Sequence, residues 1–562
     1  MTQITPRDIP DAAMRHLIAS GYTLALAKIF AARGITDKTQ LDTTFAHLLP
    51  FDSLKNSREM AILLADAIAA QKKLLVIADY DADGATACAV AIRGLRLFGA
   101  NIDFIVPNRF EYGYGLTPEI VKLASESRPD ILLTVDNGIA SVEGVAEANR
   151  LGMQVLVTDH HLPGDTLPDA ACIVNPNQPG CAFPSKHLAG VGVMFYVLLA
   201  LRAELRNRGQ LSDEQGRKLV GLLDLVALGT VADVVVLDQN NRILVQQGLQ
   251  RIRAGRASPG INALLQVAKK AQDKIASLDL GFTVAPRLNA AGRLNDMSLG
   301  INNLITDDAA RALQIASELD SLNRERRSIE TGMQDNALAA LETINPVGNF
   351  SLSLFDESWH QGVIGILASR LKDKFHRPVI AFALANDGEI KGSGRSIAGL
   401  HLRDALDLVS KRHPKLIKKF GGHSMAAGLS LNQDDFREFA DAFEQVCSEL
   451  ISPEDLTLRI ETDGQLDSTG LTIDAARLLD EQVWGQGFAS PQFDDDFEVL
   501  NQRVVGEKHL KMRLATEEGN EIDAILFGQS DPVPDYIHAV YSLSINEYNG
   551  RQSLQLIVKH WE

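Results

Sequence analysis

Cysteine is scarce in this chain: 4 in 562 residues, at positions 88, 172, 181 and 447, with no Cys-x-x-Cys pair. That excludes a zinc ribbon and a disulfide framework and points to reduced, structural thiols. No apolar run approaches the ~18–20 residues that a bilayer span requires. The opening Met1-Thr2-Gln3-Ile4-Thr5-Pro6-Arg7-Asp8 lacks a basic stretch followed by an apolar one, so no secretory signal is expected. The expected location is the cytoplasm, with no membrane attachment. Positive charge is in deficit too, 55 Lys and Arg against 72 Asp and Glu, for a formal net charge of −17. An average of that kind does not exclude a polyanionic partner, because local patches decide phosphate binding. No internal repeat or long low-complexity segment breaks the chain.

What is present is an ordinary soluble composition, 45% hydrophobic and 23% charged, on a chain long enough for three or four domains. Residues 1–50 carry short amphipathic helical patterns. From 70 to 175 the periodicity alternates. Strands are expected at Leu74–Asp81, Ile102–Pro107, Ile131–Val135, Val155–Thr158 and Cys172–Asn175. Helices are expected between them at Ala85–Phe98, Pro118–Ser125 and Val142–Leu151. This rhythm predicts an α/β fold with a mostly parallel sheet and helices on both faces. Helical patterns dominate from 188 to 253. After Thr306-Asp307-Asp308, a good cap, a proline-free helical pattern runs to about Ile344 and reads as a connector about 50 Å long. A second α/β unit follows, with strands near Ser351–Phe355, Val379–Ala383 and Ala427–Leu431. From 453 onward short strand-like runs, with a hairpin turn at Asn546-Glu547-Tyr548-Asn549-Gly550, suggest a small β barrel of the oligonucleotide-binding (OB) kind.

Three acidic or histidine clusters stand where predicted strands end: Asp79-Tyr80-Asp81-Ala82-Asp83-Gly84, Val135-Asp136-Asn137-Gly138 and Thr158-Asp159-His160-His161. In an open parallel sheet those ends meet at one edge, where ligands bind. Carboxylates with one or two imidazoles suit Mg2+ or Mn2+. Asp233, in the apolar stretch Leu228-Gly229-Thr230-Val231-Ala232-Asp233, is a buried charge that needs a partner, and a metal is one. A lone aspartate is more often a cap or turn former, and a lone histidine pair a surface feature; the set together favours two divalent cations and phosphoester hydrolysis.

These motifs resemble the DHH phosphoesterase family. Three further stretches match: residues 108–115 (Asn-Arg-Phe-Glu-Tyr-Gly-Tyr-Gly), residues 285–293 (Ala-Pro-Arg-Leu-Asn-Ala-Ala-Gly-Arg) and residues 229–233. Trp359-His360-Gln361-Gly362, Gly392-Ser393-Gly394-Arg395-Ser396 and Gly421-Gly422-His423-Ser424 look like the DHHA1 domain that accompanies DHH domains. Residues 1–50 are expected as a helical segment, and the resemblance, which covers roughly residues 50–562, implies a DHH domain at 51–305, a connecting helix at 306–344, a DHHA1 domain at 345–452 and an OB-like domain at 453–562. Within the family the combination resembles the single-strand-specific DNA exonucleases, which implies 5′→3′ hydrolysis to 5′-mononucleotides in recombination and repair. It implies Asp81, Asp83, Asp136, His160 and Asp233 as metal ligands, Asp136 bridging both ions. His161 would contact the scissile phosphate, Asp159 would orient the histidines, and Asp79 is a ligand or a support. Ala78 and Val236 depart from the family's usual glycine and proline without removing a ligand.

A 5′-end pocket would draw on Arg109, Arg287, Arg293, Ser393 and Arg395, with His423 at a glycine-rich turn. Guanidinium forks hold phosphate bidentately, as lysine cannot, and Gly392 and Gly394 would let the backbone approach an anion. The basic residues from Arg403 to Lys419 read equally well as a track for the strand or a solvated helix face. In the last domain Lys508, Lys511, Arg513 and Arg551, with Tyr548 and Trp561, offer charge and stacking surface. The resemblance also implies a monomer working beside single-strand-binding protein and a RecQ-type helicase. The closest alternative is a DHH/DHHA1 phosphodiesterase of short oligonucleotides or cyclic dinucleotides, which typically lacks the β domain. A pyrophosphatase fits less well, since it needs no strand-binding domain, and so does a silent nucleic-acid-binding module, since every ligand position is filled.

Overall fold

The computed structural model describes residues 2–107, 115–343, 348–385, 388–466, 470–548 and 550–562. They form two compact bodies, Pro6–Asp320 with Glu461–Glu562, and Ser321–Ile460 with the first few residues of the chain.

The larger body is built on five parallel strands in the spatial order Asn101–Ile105, Lys73–Ala78, Ile131–Val135, Gln154–Thr158, Cys172–Val174. The central strands are continuous apolar runs because both faces are covered. On one face Leu75, Ile77, Leu132, Val155 and Val157 pack against Ile120, Val121, Val145 and Ala148, from helices Pro118–Ser125 and Val142–Arg150. On the other lies helix Ala82–Leu97, which carries six alanines or glycines in its first ten residues and is buried nearly all round. It is enclosed by helices Gly190–Asn207 and Leu223–Ala232 as well as the sheet. The strand order reverses between Lys73–Ala78 and Ile131–Val135, whose C-terminal ends form the crevice where open α/β sheets bind ligands.

The expected strand Leu74–Asp81 stops three residues early, at Ala78. Asp79 Oδ1 accepts the neighbouring Tyr80 amide at 2.8 Å and Asp81 caps the next helix, so the acids turn the chain instead of extending it. The connector is a single helix, Ala309–Thr343, capped by Asp308 Oδ1, which accepts the amide of Ala310 at 2.8 Å.

The smaller body holds a five-stranded sheet in the order Lys419–Gly422, Ala426–Asn432, Glu389–Arg395, Val379–Leu384, Leu352–Asp356, antiparallel except for its last pair. Two of these strands were not expected from sequence. Glycines 392 and 394 lie inside strand Glu389–Arg395. A methyl on Gly392 would sit 2.5 Å from the Phe382 ring, and one on Gly394 2.8 Å from Leu402. Their small size serves packing within the sheet. Gly421 and Gly422 likewise belong to an edge strand.

Residues 493–561 close a five-stranded barrel in the order Phe493–Val505, His509–Ala515, Glu521–Phe527, Arg551–Trp561, Tyr536–Tyr548. A parallel pairing of the third strand with the fifth completes it. Tyr548 pairs with Arg551, where the hairpin turn was expected. The segment that leads into the barrel, residues 461–492, is tied to the rest of the larger body around Arg33. The Arg33 guanidinium meets both oxygens of Asp463 at 2.6 and 3.0 Å, donates from Nε to the Ala489 carbonyl at 2.6 Å, and lies over the Trp484 ring. Both side chains of this ion pair are 2% exposed.

Candidate metal centre

The loop between strand Lys73–Ala78 and helix Ala82–Leu97 presents Asp79, Asp81 and Asp83. Asp136 follows the neighbouring strand, and its backbone is left-handed, with φ of +62°. That conformation is uncommon outside glycine but least costly for Asp and Asn. Asn137 holds the turn by donating its amide to the carbonyls of Ile77 and Val135, at 3.1 and 2.9 Å, one on each strand. His160 and His161 follow strand Gln154–Thr158, and Asp233 ends helix Leu223–Ala232.

The structure brings all of these together. Potential ligand atoms within 4.8 Å of one another form three groups among the described residues: Asp136, His160 and His161; Asp83, His160 and Asp233; Asp79, Asp81 and Asp136. His160 Nε2 stands 3.1 Å from Asp136 Oδ1 and 3.4 Å from Asp233 Oδ2, yet it is a buried atom with no hydrogen-bond partner. An orphaned imidazole nitrogen facing convergent carboxylates fits a hard divalent cation and little else. Asp159 stands behind the cluster and is 2% exposed. Its Oδ1 takes His161 Nδ1 at 2.7 Å and the amide of His160, and its Oδ2 takes the amide of Ile139. That hydrogen bond fixes the orientation of the His161 ring.

The electrostatics describe the same thing. Burial, then the charge of Asp81, pushes Asp83 up to about 7. Burial, and next the charge of Asp83, raises Asp136 and Asp233 well above the usual carboxylate range. Burial holds His160 down to about 4. For His161 burial works downward, but the Asp159 hydrogen bond and nearby carboxylates lift it to about 8. Without cations the cluster repels itself; cations remove that repulsion and hold the carboxylates ionised.

Stability should depend on pH and on metal accordingly. Asp83 keeps its proton to higher pH in the folded state than in the unfolded one, where the value is ~3.9. The metal-free fold thus loses stability as pH rises from about 4 through about 7. In chelator the melting temperature should fall between pH 5 and pH 8. Mn2+ at a hundred times its dissociation constant should return ~2.7 kcal/mol, most visibly at pH 8. A melting temperature indifferent to Mn2+ at every pH would remove the cluster as a cation site.

Several supporting residues escaped the sequence reading. The amides of Gly190 and Val191, at the start of helix Gly190–Asn207, donate to Asp83 Oδ2 at 2.6 Å and Oδ1 at 3.0 Å. Gly190 is required there, because a methyl would lie 2.6 Å from Asp136 Oδ1. Asn175 and Asn177 donate to the carbonyls of His161 and His160. The glycines of Leu188-Ala189-Gly190-Val191-Gly192 were the only available signal for the first contact, and backbone donors leave no residue-type trace.

The strand-binding candidates divide. Arg109 falls at 108–114, outside the described residues. Arg287 is 9% exposed and engaged: Nε and Nη2 meet Asp320 at 2.9 and 2.8 Å, and Nη1 donates to the Thr283 carbonyl. Its place is structural, and a direct phosphate contact would require that pair to open. Arg293 is half-buried at the end of helix Ala285–Leu294. In the smaller body Arg395 is half-buried beside Ser393, its Nη1 3.3 Å from Ser393 Oγ, and His423 is exposed. Of the basic run, Lys411 pairs with Asp407, Arg412 with Glu449 and Lys418 with Glu389. On the barrel Arg513 pairs with Asp523 and Glu521, and Lys511 faces Asp523 at 3.6 Å, so these two charges are balanced within the sheet. Trp561 is partly buried, and the Tyr548 side chain lies outside the described residues.

Three family models match along the chain: the DHH family N-terminal domain over residues 73–230, the DHHA1 domain over 347–449 and the RecJ OB domain over 462–560. The RecJ single-stranded-DNA-specific exonuclease of Dickeya dadantii is 48% identical over 552 residues, covering 95% of each chain. This chain belongs to the RecJ family. The crystal structure of Thermus thermophilus RecJ in complex with Mn2+ superposes with a TM-score of 0.83 at 31% identity, covering all of this chain and 79% of that one. The Mg2+ complex of the same protein gives 0.78 at 29%, covering all of this chain and 78% of that one. The Thermus thermophilus protein thus takes Mn2+ and Mg2+, the two cations that the present donor set suits. Among the described residues no helix is long and apolar enough to cross a membrane.

Proposed function

We propose that this chain is a single-stranded-DNA-specific exonuclease that works from the 5′ end, releases 5′-mononucleotides and uses two divalent cations, Mn2+ or Mg2+. One observation carries the reading: Asp79, Asp81, Asp83, Asp136, His160 and Asp233 converge at the switch point of the parallel sheet, in a chain whose relatives are RecJ exonucleases. Asp81, Asp83, Asp136, His160 and Asp233 would hold the ions. Asp136, common to two of the three groups, would serve both ions, and Asp79 stands with Asp81. When bound, the cations neutralise charge on the phosphate and make a nucleophile of water at neutral pH.

The chain's own residues do the rest. Asp159 fixes His161 through Nδ1, so the ring meets a phosphate oxygen through Nε2. Asn137, Asn175 and Asn177 fix the backbone that carries Asp136 and the histidines, so no reorganisation is needed when substrate arrives. Arg395 with Ser393 is the favoured group for a terminal phosphate, since both are partly exposed on one strand. Single-strand-binding protein and a RecQ-type helicase are the proposed partners, in recombination and repair in the cytoplasm, on family resemblance.

The test is an Mn2+-dependent assay on one single strand labelled in turn at each end, with and without a 5′ phosphate. Labelled mononucleotide should leave the 5′ end at once and the 3′ end late. Cleavage confined to oligomers of a few nucleotides would overturn the reading in favour of a short-substrate phosphodiesterase, for which the barrel has no use. In the same assay Arg395→Ala should reduce the preference for a 5′-phosphorylated end roughly tenfold or more, the worth of a charge-assisted hydrogen bond. An unchanged preference would place the end pocket elsewhere.

A further inference from the structure

The Asp79–Asp83 loop is held from outside by a residue that neither cation binding nor strand recognition explains. Helix Ala82–Leu97 begins inside the loop, and the first amides of a helix have no partner within it. Asp81 Oδ1 takes the amide of Gly84 at 3.0 Å. The amide of Ala82, between the two aspartates, donates to Asn289 Oδ1 at 2.8 Å, across 207 residues of sequence. Asn289 sits on helix Ala285–Leu294, which lies so close that a methyl on Gly292 would be 2.0 Å from the Tyr80 carbonyl. The same helix is tied at its start by Arg287 to Asp320 and to the Thr283 carbonyl. One short helix is thus anchored on one side and seated on the acidic loop by Asn289 and Gly292.

We propose that Asn289 is a positioning residue for the metal centre: by accepting the Ala82 amide it sets the direction in which Asp81 and Asp83 present their carboxylates. This rests on the reading of those carboxylates as ligands. A group that orients metal ligands from behind acts on cation affinity and leaves strand affinity alone, which separates it from a merely structural side chain.

The experiment is calorimetric titration of Mn2+ into the full chain without DNA, beside strand affinity measured without metal. The leucine variant, Asn289→Leu, removes the acceptor at similar volume, and Asn289→Asp keeps it. Asn289→Leu should weaken Mn2+ binding roughly 10–100-fold with strand affinity unchanged to about twofold, and Asn289→Asp should restore Mn2+ binding. Amide exchange over residues 79–85 should quicken in the leucine variant and not in the aspartate one. Equal Mn2+ affinity in Asn289→Leu, a parallel loss of strand affinity, or no restoration by aspartate would overturn the proposal. If the leucine variant does not fold, Gly292→Ala replaces it: the same loss is expected, and unchanged affinity overturns. Failure of the unsubstituted chain to bind Mn2+ would instead strike the ligand reading itself.

Discussion

Replacing Asp136 by alanine is expected to abolish hydrolysis of single strands while leaving their binding within a few-fold of the unsubstituted chain. Asp136 is 2% exposed and belongs to two of the three ligand groups, so its loss would disable both halves of the cluster together. The rate should fall by more than the ~10²–10³-fold that removing one preorganised charge-stabilising group costs. Alanine also strains the left-handed turn, which aspartate and asparagine accept more readily. Asp136→Asn therefore isolates the charge, and it should lose activity to the same degree. Since burial and neighbouring acids already oppose ionisation there, the asparagine variant should be more stable than the unsubstituted chain in chelator and less responsive to Mn2+. Turnover at saturating Mn2+, strand binding by anisotropy without metal, and melting temperature with and without chelator check the three parts. Retained turnover in purified Asp136→Asn would sink the two-cation assignment.

The second large effect concerns stability. Arg33→Ala leaves Asp463 buried and charged with no counter-ion, and breaking a buried pair from one side costs about 3–5 kcal/mol. It also removes the cation from the Trp484 ring and the hydrogen bond to the Ala489 carbonyl. Trp484 stacks on Phe488 at 5.0 Å, so its fluorescence reports on this seam locally. The Trp484 transition in urea should move to markedly lower denaturant, and protease should release residues 461–562 sooner. A double replacement by apolar residues, Arg33→Met with Asp463→Leu, should recover most of the loss, because no charge is then left unpaired. A single-variant cost below about 1 kcal/mol, the worth of an exposed pair, would mean that residues 461–492 are held by their apolar contacts alone.

How much of this was legible in the sequence depends on what carries each feature. The parallel sheet was, since Ile131–Val135 and its neighbours are apolar runs spaced by helical periods. The cluster was too, since an acid directly after such a run can only stand at the sheet edge. Gly190 was not, because its contribution to Asp83 is a backbone amide that any residue type carries. Asn289 stood in plain sight within a quoted motif, but its partner is 207 residues away and nothing local links them. The packing role of Gly392 and Gly394 was not legible, because a glycine admitting an anion and one admitting Phe382 look the same in sequence. Arg513 and Lys511 looked available until the facing strand supplied Asp523 and Glu521. Cross-strand register is what single-sequence patterns define least.

The cluster draws its members from Asp79 to Asp233, and its outer support from Asn289. Because domains form as the chain is synthesised, N-terminal parts first, the sheet can be assembled while Asp233 is still within the ribosome. Such a nascent chain would have the crevice but neither the last acid nor the helix that seats the loop. Competence to cut DNA is therefore expected only once residue 233 has left the ribosome, and translation products that end before it should be inactive on single strands.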